Sequence, residues 1–542
     1  MRSFLSAEIN KAIKVLYPNI AYQTEVMRTS NPEFGDYSCA VMDLSSRVGQ
    51  NPGTIAEEIR KKLLASKNFD KYVSRTEIAG PGFMNFWLSE TGLAGGIKNA
   101  GKKNSRRKEK ISLDYLDANP TGPVHLGHAR SGFYGDVLSN ILEFCGYKVS
   151  REFYVNNAKS SGQIQSLGKT VLGKGEEYKH GQLLSVLERP LVKKKIKTLK
   201  NPKEAGFYVA GLIQRENEAF LKDTAKIKFD LFFEEEKVYA SKMIKEIVKS
   251  LKKADAIYEK DGATWLRSSK YGDTEDRVLI RNTGEPTYLL PDIGYHLDRL
   301  VKRKYDKAIN IFGADHFGYG PRLKAALQVL GISPEKIKIL TAQIVRLMKG
   351  GQEFKMSKRA GIFVTLEELI KEVGLDAARF FFLMRSLDTH MDFDLDLAKE
   401  HSKKNPVYYV QYAHARACSI LRKSGKNKKK LDFSSVGLAV GSFSKNKIEA
   451  REEKSGFERN LILKIIQFPE IIEDIAEDYQ VHRLNTYVYE LAKVFTDFYE
   501  NVPVLKAETN ELKNSRLALV SKSRDILRKS LVLMGISTPE KM

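Results

Sequence analysis

Residues 111–155 restrict the fold most. I-S-L-D-Y-L-D (111–117) alternates apolar and polar residues as a short strand does. D-A-N-P-T-G-P-V-H follows as a turn, stiffened by Pro120 and Pro123 and broken by Gly122. L-G-H-A-R-S-G-F-Y-G-D-V-L-S-N-I-L-E-F-C (126–145) predicts a helix that Gly146 ends, and Y-K-V-S-R-E-F-Y-V (147–155) predicts a second strand. Strand, turn, helix and strand in that order form a βαβ unit, so the two strands run parallel within an α/β domain. In such sheets ligands bind beyond the carboxyl ends of the strands, which puts the 117–125 turn at a binding crevice.

The rest of the chain arranges itself around this unit. The expected architecture is a Rossmann-like parallel-sheet catalytic domain with an N-terminal α/β domain and a C-terminal all-α helical bundle. Residues 1–105 form the first piece, with apolar Ile55, Ile59 and Leu63 at helical spacing and the turn-and-strand run I-A-G-P-G-F-M-N-F-W-L. The basic run G-K-K-N-S-R-R-K-E-K (101–110) is a plausible linker. Residues 106–400 are the parallel α/β domain, interrupted by a polar, Lys-rich insertion over about 170–260. Strand-like runs resume at T-W-L-R, V-L-I-R, A-I-N-I-F-G and I-K-I-L-T-A. Residues 401–542 carry successive segments with one apolar face each, which predicts a helical bundle.

Charge narrows the partners. The net charge of +23 is concentrated in 101–110, R-P-L-V-K-K-K-I-K-T-L-K (189–200) and K-S-G-K-N-K-K-K (423–430), a distribution that suits a polyanion such as nucleic acid. Any one of these runs alone would read as a solvated face. The three cysteines, Cys39, Cys145 and Cys418, are scattered without zinc spacing, so buried thiols in a reducing cytoplasm are expected and no protein-bound metal. No run of about 18 apolar residues is present, and Glu8 and Lys11 break any signal-peptide core, so neither membrane insertion nor export is expected.

Two short motifs carry the chemistry. H-L-G-H places His125 at the turn and His128 one helical turn later, at a helix N-terminus that suits phosphate. Gly127 leaves room for a flat ring or a ribose. The same turn would serve as a plain helix cap with two satisfied histidines, so H-x-G-H alone decides nothing. The second motif is F-K-M-S-K-R (354–359), after Gly350 and Gly351: Lys355 and Lys358 flank Met356 and Ser357 on a glycine-bounded loop that could bring two ammonium groups to a triphosphate. H-x-G-H followed some 230 residues later by K-M-S-K is the paired signature of class I aminoacyl-tRNA synthetases, whose two motifs sit on opposite sides of an ATP site. Nucleotidylyltransferases share the first motif and end on a different, arginine-containing one.

Longer segments in order make the chain similar to arginyl-tRNA synthetases: N-P-E-F-G-D-Y-S, A-N-P-T-G-P-V-H-L-G-H-A-R, E-F-Y-V-N-N-A, Y-L-L-P-D-I-G-Y-H, G-A-D-H-F-G-Y, D-A-A-R-F-F-F-L-M-R-S and N-P-V-Y-Y-V-Q-Y-A-H-A-R. The resemblance implies that arginine is activated with ATP and Mg²⁺ carried on the triphosphate, then passed to tRNA(Arg), by a monomer in the cytoplasm. It implies catalytic roles for His125, His128, Lys355 and Lys358, with Gly127, Met356 and Ser357 completing the ATP site. It assigns the arginine guanidinium to Tyr288 and Asp292, the α-amino group to Asp114 and Asn119, and a further substrate contact to His316 or Asp315. A carboxylate is the natural acceptor for the forked guanidinium donors. Tyr409 and Tyr412 become candidate base-stackers in an anticodon-binding bundle, and the N-terminal domain resembles one that contacts the tRNA elbow. Two departures are Ala378 in the D-A-A-R block, and Pro291 before Asp292, where it could alter the local backbone. A catalytically dead RNA-binding paralogue would have lost part of one motif; this chain keeps both.

Overall fold

The structure, a computed structural model, describes residues 1–542 except 30, 104–106, 315–317, 355–364 and 426–447; over 448–455 it describes the backbone only. The N-terminal unit is an antiparallel sheet in the order β1-β2-β4-β3 (Val26–Arg28, Tyr37–Ala40, Phe83–Leu88, Val73–Ala79). The helix Pro52–Leu64 packs against it through Ile55, Ile59 and Leu63, and opens on an Asn51 side-chain cap with Pro52 in its first turn.

The central sheet is parallel throughout, in the order β12-β11-β5-β6-β7: Ile337–Ala342, Lys307–Gly313, Lys110–Asp114, Lys148–Val155 and Leu231–Glu234. The expected βαβ unit is β5, the helix Leu126–Phe144 and β6. From β5 the chain builds outward to β6 and β7, then crosses back to β11 on the other side, so the crevice lies at the carboxyl ends of β5 and β11. Two expectations shift here. Strand β5 stops at Asp114, because Leu116 and Asp117 take positive φ of 80° and 44° and turn the chain out of the sheet. The 170–260 segment is also not wholly peripheral: it returns edge strand β7 to the sheet, hidden from a periodicity reading because L-F-F-E is only four residues long. The insertion proper packs its own small core, which includes Ile164, Leu183, Val192 and Val209. Strands β8 (Ile257–Lys260), β9 (Ala263–Leu266) and β10 (Arg277–Ile280) form a separate antiparallel sheet.

The C-terminal helices Pro406–Lys423, Ile448–Ile466, Phe468–Asp478, His482–Asn501 and Asn510–Leu533 form the bundle. The D-A-A-R block is its joint with the catalytic domain. Buried Arg379 donates to the Asp136 carboxylate on the Leu126–Phe144 helix at 2.8 Å, to Lys226 O at 2.7 Å and to Met534 O at 3.2 Å. Asp376 accepts from Gln411 Nε2 at 2.8 Å and from the Ser537 backbone N–H at 3.0 Å. Ala378 is packed in the core and takes no part in these bonds. The N-terminal unit docks on the bundle through Asp36, which the Arg459 guanidinium grips at 2.7 and 2.8 Å.

Candidate active site

His125 caps the Leu126–Phe144 helix with its own ring. The Gly127 N–H donates to His125 Nδ1 at 3.0 Å, and the His125 N–H donates to His128 Nδ1 at 3.3 Å. This is a capping box in which imidazoles do the work usually done by Ser/Thr and Glu. Because both Nδ1 atoms accept, the ring proton of each sits on Nε2. The rings lie 3.7 Å apart centre to centre, tilted by 31°. Burial, and then the neighbouring His125, push His128 well below the usual histidine range, so it is a neutral donor. The missing side chain at Gly127 has a use within the fold: a Cβ would lie 2.9 Å from His125 Cε1, so the glycine admits the folded-back His125 ring.

The turn before the histidines is held by the insertion. His180 Nε2 lies 2.8 Å from Thr121 O, while its Nδ1 accepts the Leu183 N–H at 3.2 Å and caps the helix Gly181–Glu188. Asn217, on the helix Pro202–Asp223, donates to Gly122 O at 2.9 Å.

Beside this turn lies an acidic cleft. Asp114 is buried at the end of β5, and its Oδ1 has no hydrogen-bond partner. Burial raises its carboxyl to about 7, eased by Arg299 and reinforced by Glu152. Asp117 is raised well above the carboxylate range by burial and then by Asp114, and its Oδ1 accepts the Tyr154 N–H at 2.9 Å. Asn119 is half-buried on the same turn. Asp292 stands in the first turn of the helix Leu289–Leu297, accepts from the Tyr319 hydroxyl, and is raised to about 7 by burial despite that bond, with Asp114 adding to the rise. Glu235, where β7 passes into the next helix, is raised to about 7 by burial and then by Asp292. Three elements thus bring carboxyls together, and among the described residues none of Asp114, Asp292 and Glu235 forms an ion pair; like charges held this close cost free energy unless a cation joins them.

The floor is neutralised internally. Arg303 forks onto Glu152 at 2.6 and 2.8 Å, and Tyr295 donates to the same carboxylate at 2.9 Å. Burial would raise Glu152, but this fork and the Arg299 charge hold it below its usual value. Arg299 is fully buried and donates to Ser112 O at 2.7 Å and Ile309 O at 3.0 Å. His296 Nδ1 lies 2.8 Å from Asp292 O and its Nε2 3.1 Å from Asn310 Nδ2; burial, then Arg299, lower it to about 3. The neutral ring therefore fixes the Asp292 backbone without adding charge.

Of the expected substrate residues, Asp114 and Asp292 come together here, and Asn119 lies half-buried on the adjoining turn. Tyr288 does not flank the Asp292 carboxylate as expected. It precedes the helix, is 58% exposed, and borders an open recess of about 410 Å³ with Ser160, Glu235, Tyr239, Arg281 and Glu285. The hydroxyl on Asp292 is that of Tyr319, in the quoted G-A-D-H-F-G-Y block. Pro291 sits in the first helical turn, where its missing N–H costs nothing, and the helix is intact. Lys355, Met356, Ser357, Lys358, Asp315 and His316 lie outside the described residues. Tyr409 is half-buried against Tyr489, ring centres 5.6 Å apart, and Tyr412 is half-buried. Glu235, Asp117, Tyr319 and the Glu152–Arg303 fork were not foreseen; the one available signal was the run of acids F-F-E-E-E at 232–236.

Known proteins match along the whole chain. The arginyl tRNA synthetase N-terminal domain matches residues 3–88, the class I (R) tRNA synthetase catalytic domain 93–166 and 193–386, and the DALR anticodon binding domain 410–542. The chain is 40% identical to an arginine–tRNA ligase of Bacillus cereus, over 99% of this chain and 97% of that one. It is 39% identical to the arginine–tRNA ligase of Bacillus subtilis, over 100% and 99%. The arginyl-tRNA synthetase structure of Thermus thermophilus superposes with a TM-score of 0.78, covering 100% of both chains at 22% identity.

Proposed function

Because this chain belongs to the arginyl-tRNA synthetase family and is an arginine–tRNA ligase, we propose which of its residues carry each part of that reaction. The observation that carries the assignment is the acidic cleft: Asp292 and Glu235 take the guanidinium, and Asp114, whose Oδ1 lacks a partner, takes the α-ammonium with Asp117 and Asn119 beside it. Tyr319 and neutral His296 position Asp292. Tyr288 stands at the rim rather than the floor.

The arginine carboxylate attacks the α-phosphorus of ATP, the α–β bridging bond breaks, and pyrophosphate leaves. The carboxylate is ionised already, so no general base is needed; catalysis is positioning and charge stabilisation. His125 and His128 offer Nε2 donors to the transferring phosphate, with the helix N-terminus behind them. Lys355 and Lys358 are assigned to the β- and γ-phosphates from their motif. Mg²⁺ is assigned to the triphosphate oxygens, where it would neutralise phosphate charge. In the second step the terminal 2′-hydroxyl of tRNA(Arg) attacks the activated carboxyl carbon and AMP leaves.

Tyr409 and Tyr412 remain candidates for anticodon stacking, and the domains for elbow, chemistry and anticodon are taken as 1–105, 106–400 and 401–542. A monomer is proposed because one chain supplies every described site residue. A reducing cytoplasm is proposed because all three cysteines are buried free thiols. The test is ATP-dependent charging of total tRNA with each of the twenty amino acids. Arginine alone should be incorporated; charging with another amino acid, or none, overturns the reading.

A further inference from the structure

The insertion carries a concentration of positive charge that no described residue balances by an ion pair at its lysines. Between Arg189 and Lys203 the chain has seven basic residues and no acidic one. Arg189 pairs with Glu216. Lys193, Lys194, Lys195, Lys197, Lys200 and Lys203 are all exposed, and none forms an ion pair with any described residue. The local fold explains their direction. The helix Pro190–Ile196 buries Val192 in the insertion's own core, with Ile196 and Leu199 packed against it, which leaves the lysines on the outer edge. Six like charges within eleven residues repel one another and hold a layer of counterions.

The position of this edge is as telling as its charge. The two helices that pack beneath it belong to the unit whose His180 and Asn217 hold Thr121 O and Gly122 O, the turn that leads into His125. The insertion is thus one wall of the cleft in which the activated carboxyl forms. The terminal adenosine of the tRNA must enter that cleft with the phosphates of its acceptor arm trailing outside it.

Resting on the ligase reading above, we propose that the Lys193–Lys203 edge is the docking surface for the acceptor-arm backbone of the tRNA. Lysine ammonium groups are point charges on flexible stems, so the edge contacts phosphates and does not read bases. Binding releases the counterions held on both partners, and this makes the contact strongly salt-dependent.

The test compares native protein with the triple variant Lys193→Gln/Lys195→Gln/Lys197→Gln, and with a control that removes the same charge from the exposed face of another helix, Lys245→Gln/Lys249→Gln/Lys253→Gln. Native protein is first shown to charge tRNA with arginine; failure there overturns the ligase reading and this proposal's premise with it. With charging established, the edge variant should weaken tRNA binding about tenfold near 0.1 M salt. It should also lower the slope of log affinity against log salt by roughly 2 to 3, as three lost phosphate contacts require. Hydroxyl-radical footprints should lose protection on the acceptor arm and keep it on the elbow and anticodon, with melting temperature unchanged. Unchanged affinity and slope, an equal loss in the control variant, or a loss of protection spread evenly over the tRNA would each overturn the proposal while leaving the ligase reading intact.

Discussion

The histidine turn and the acidic cleft are neighbours at the end of the same strand, built on opposite principles. The turn is complete in itself: each Nδ1 is satisfied by a backbone N–H, both rings are fixed, and His128 is neutral. The cleft is incomplete: Asp114, Asp292 and Glu235 are crowded and raised to about 7, and Asp114 Oδ1 has no partner. A phosphate can enter the first without rearranging any charge. The second reaches a low free energy only when a cation occupies it. On the proposed assignment the phosphate side is preorganised, and the amino-acid side draws selectivity from its unsatisfied state, because a neutral analogue leaves buried carboxyls unpaired.

The largest effect expected from this contrast is at Asp292. Asp292→Asn removes the charge and keeps the size, so a bound guanidinium loses its counterion. Breaking a buried pair costs about 3–5 kcal/mol, or roughly 10³-fold in kcat/KM for arginine, with KM for ATP barely moved. Citrulline, which lacks the positive charge, should be rejected by the native enzyme and lose that disadvantage in the variant. If ATP and arginine weaken equally, Asp292 lies outside the side-chain pocket and the contrast fails.

The converse cut is at the turn. His128→Ala should slow pyrophosphate exchange about 10²-fold through kcat, the usual cost of one lost charge-stabilising donor. Arginine KM should stay within a few-fold, since the cleft is untouched. The His125 N–H loses its acceptor as well, so a small drop in melting temperature accompanies the loss of rate. A variant that raised arginine KM as strongly as Asp292→Asn would show that the two regions are not separable.

The same difference explains what the sequence disclosed. The backbone N–H that each histidine Nδ1 accepts lies within three residues of it, so strand, turn, helix start and motif were readable from 111–146, while the hold of His180 and Asn217 on the turn was not. The cleft draws on residues 114, 117, 235, 292 and 319, brought together by sheet order, and no local pattern announces such a gathering. Asp114, Asn119 and Asp292 were named as candidates through resemblance to a family. Helical spacing places Tyr288 one turn from Asp292 without saying which way the ring points; the hydroxyl that bonds the Asp292 carboxylate is that of Tyr319, while Tyr288 borders the recess beside Glu235. Strand β7 and Glu235 were missed because a four-residue edge strand inside a polar insertion carries too little periodicity to stand out.

Titration should separate the regions again, more gently. Asp114, Asp292 and Glu235 stand near 7 in the empty cleft, raised from ordinary carboxyl values. Arginine binds their ionised forms, so its KM should rise as pH falls through 7, by about tenfold per pH unit for each proton that must leave. KM for ATP should stay flat, since His128 is already neutral throughout this range. For stability the sign is opposite. Folded-state values above the unfolded ones stabilise the empty protein at low pH, and this contribution is lost as pH rises towards 7. Arginine should therefore raise the melting temperature more at pH 8 than at pH 6. An arginine KM independent of pH between 6 and 8 would mean that the carboxyls are ionised before substrate arrives.

The smallest effect concerns what keeps the turn preorganised. His180 has two jobs on two nitrogens: Nδ1 caps the helix Gly181–Glu188, and Nε2 holds Thr121 O. Asparagine reproduces a donor or acceptor at the Nδ1 position and glutamine one at the Nε2 position, so the jobs can be divided. His180→Asn keeps the cap, and with it the melting temperature, but releases the Thr121 carbonyl. One net hydrogen bond is worth about 1 kcal/mol, so kcat for pyrophosphate exchange should fall roughly threefold to tenfold at unchanged arginine KM. His180→Gln should do the reverse: the rate is kept and the helix loses its cap, at a cost of about 0.5–2 kcal/mol in stability. If both variants lose rate only in proportion to lost stability, His180 is a cap and nothing more, and the turn's geometry is secured by the His125–His128 box and Asn217 without it.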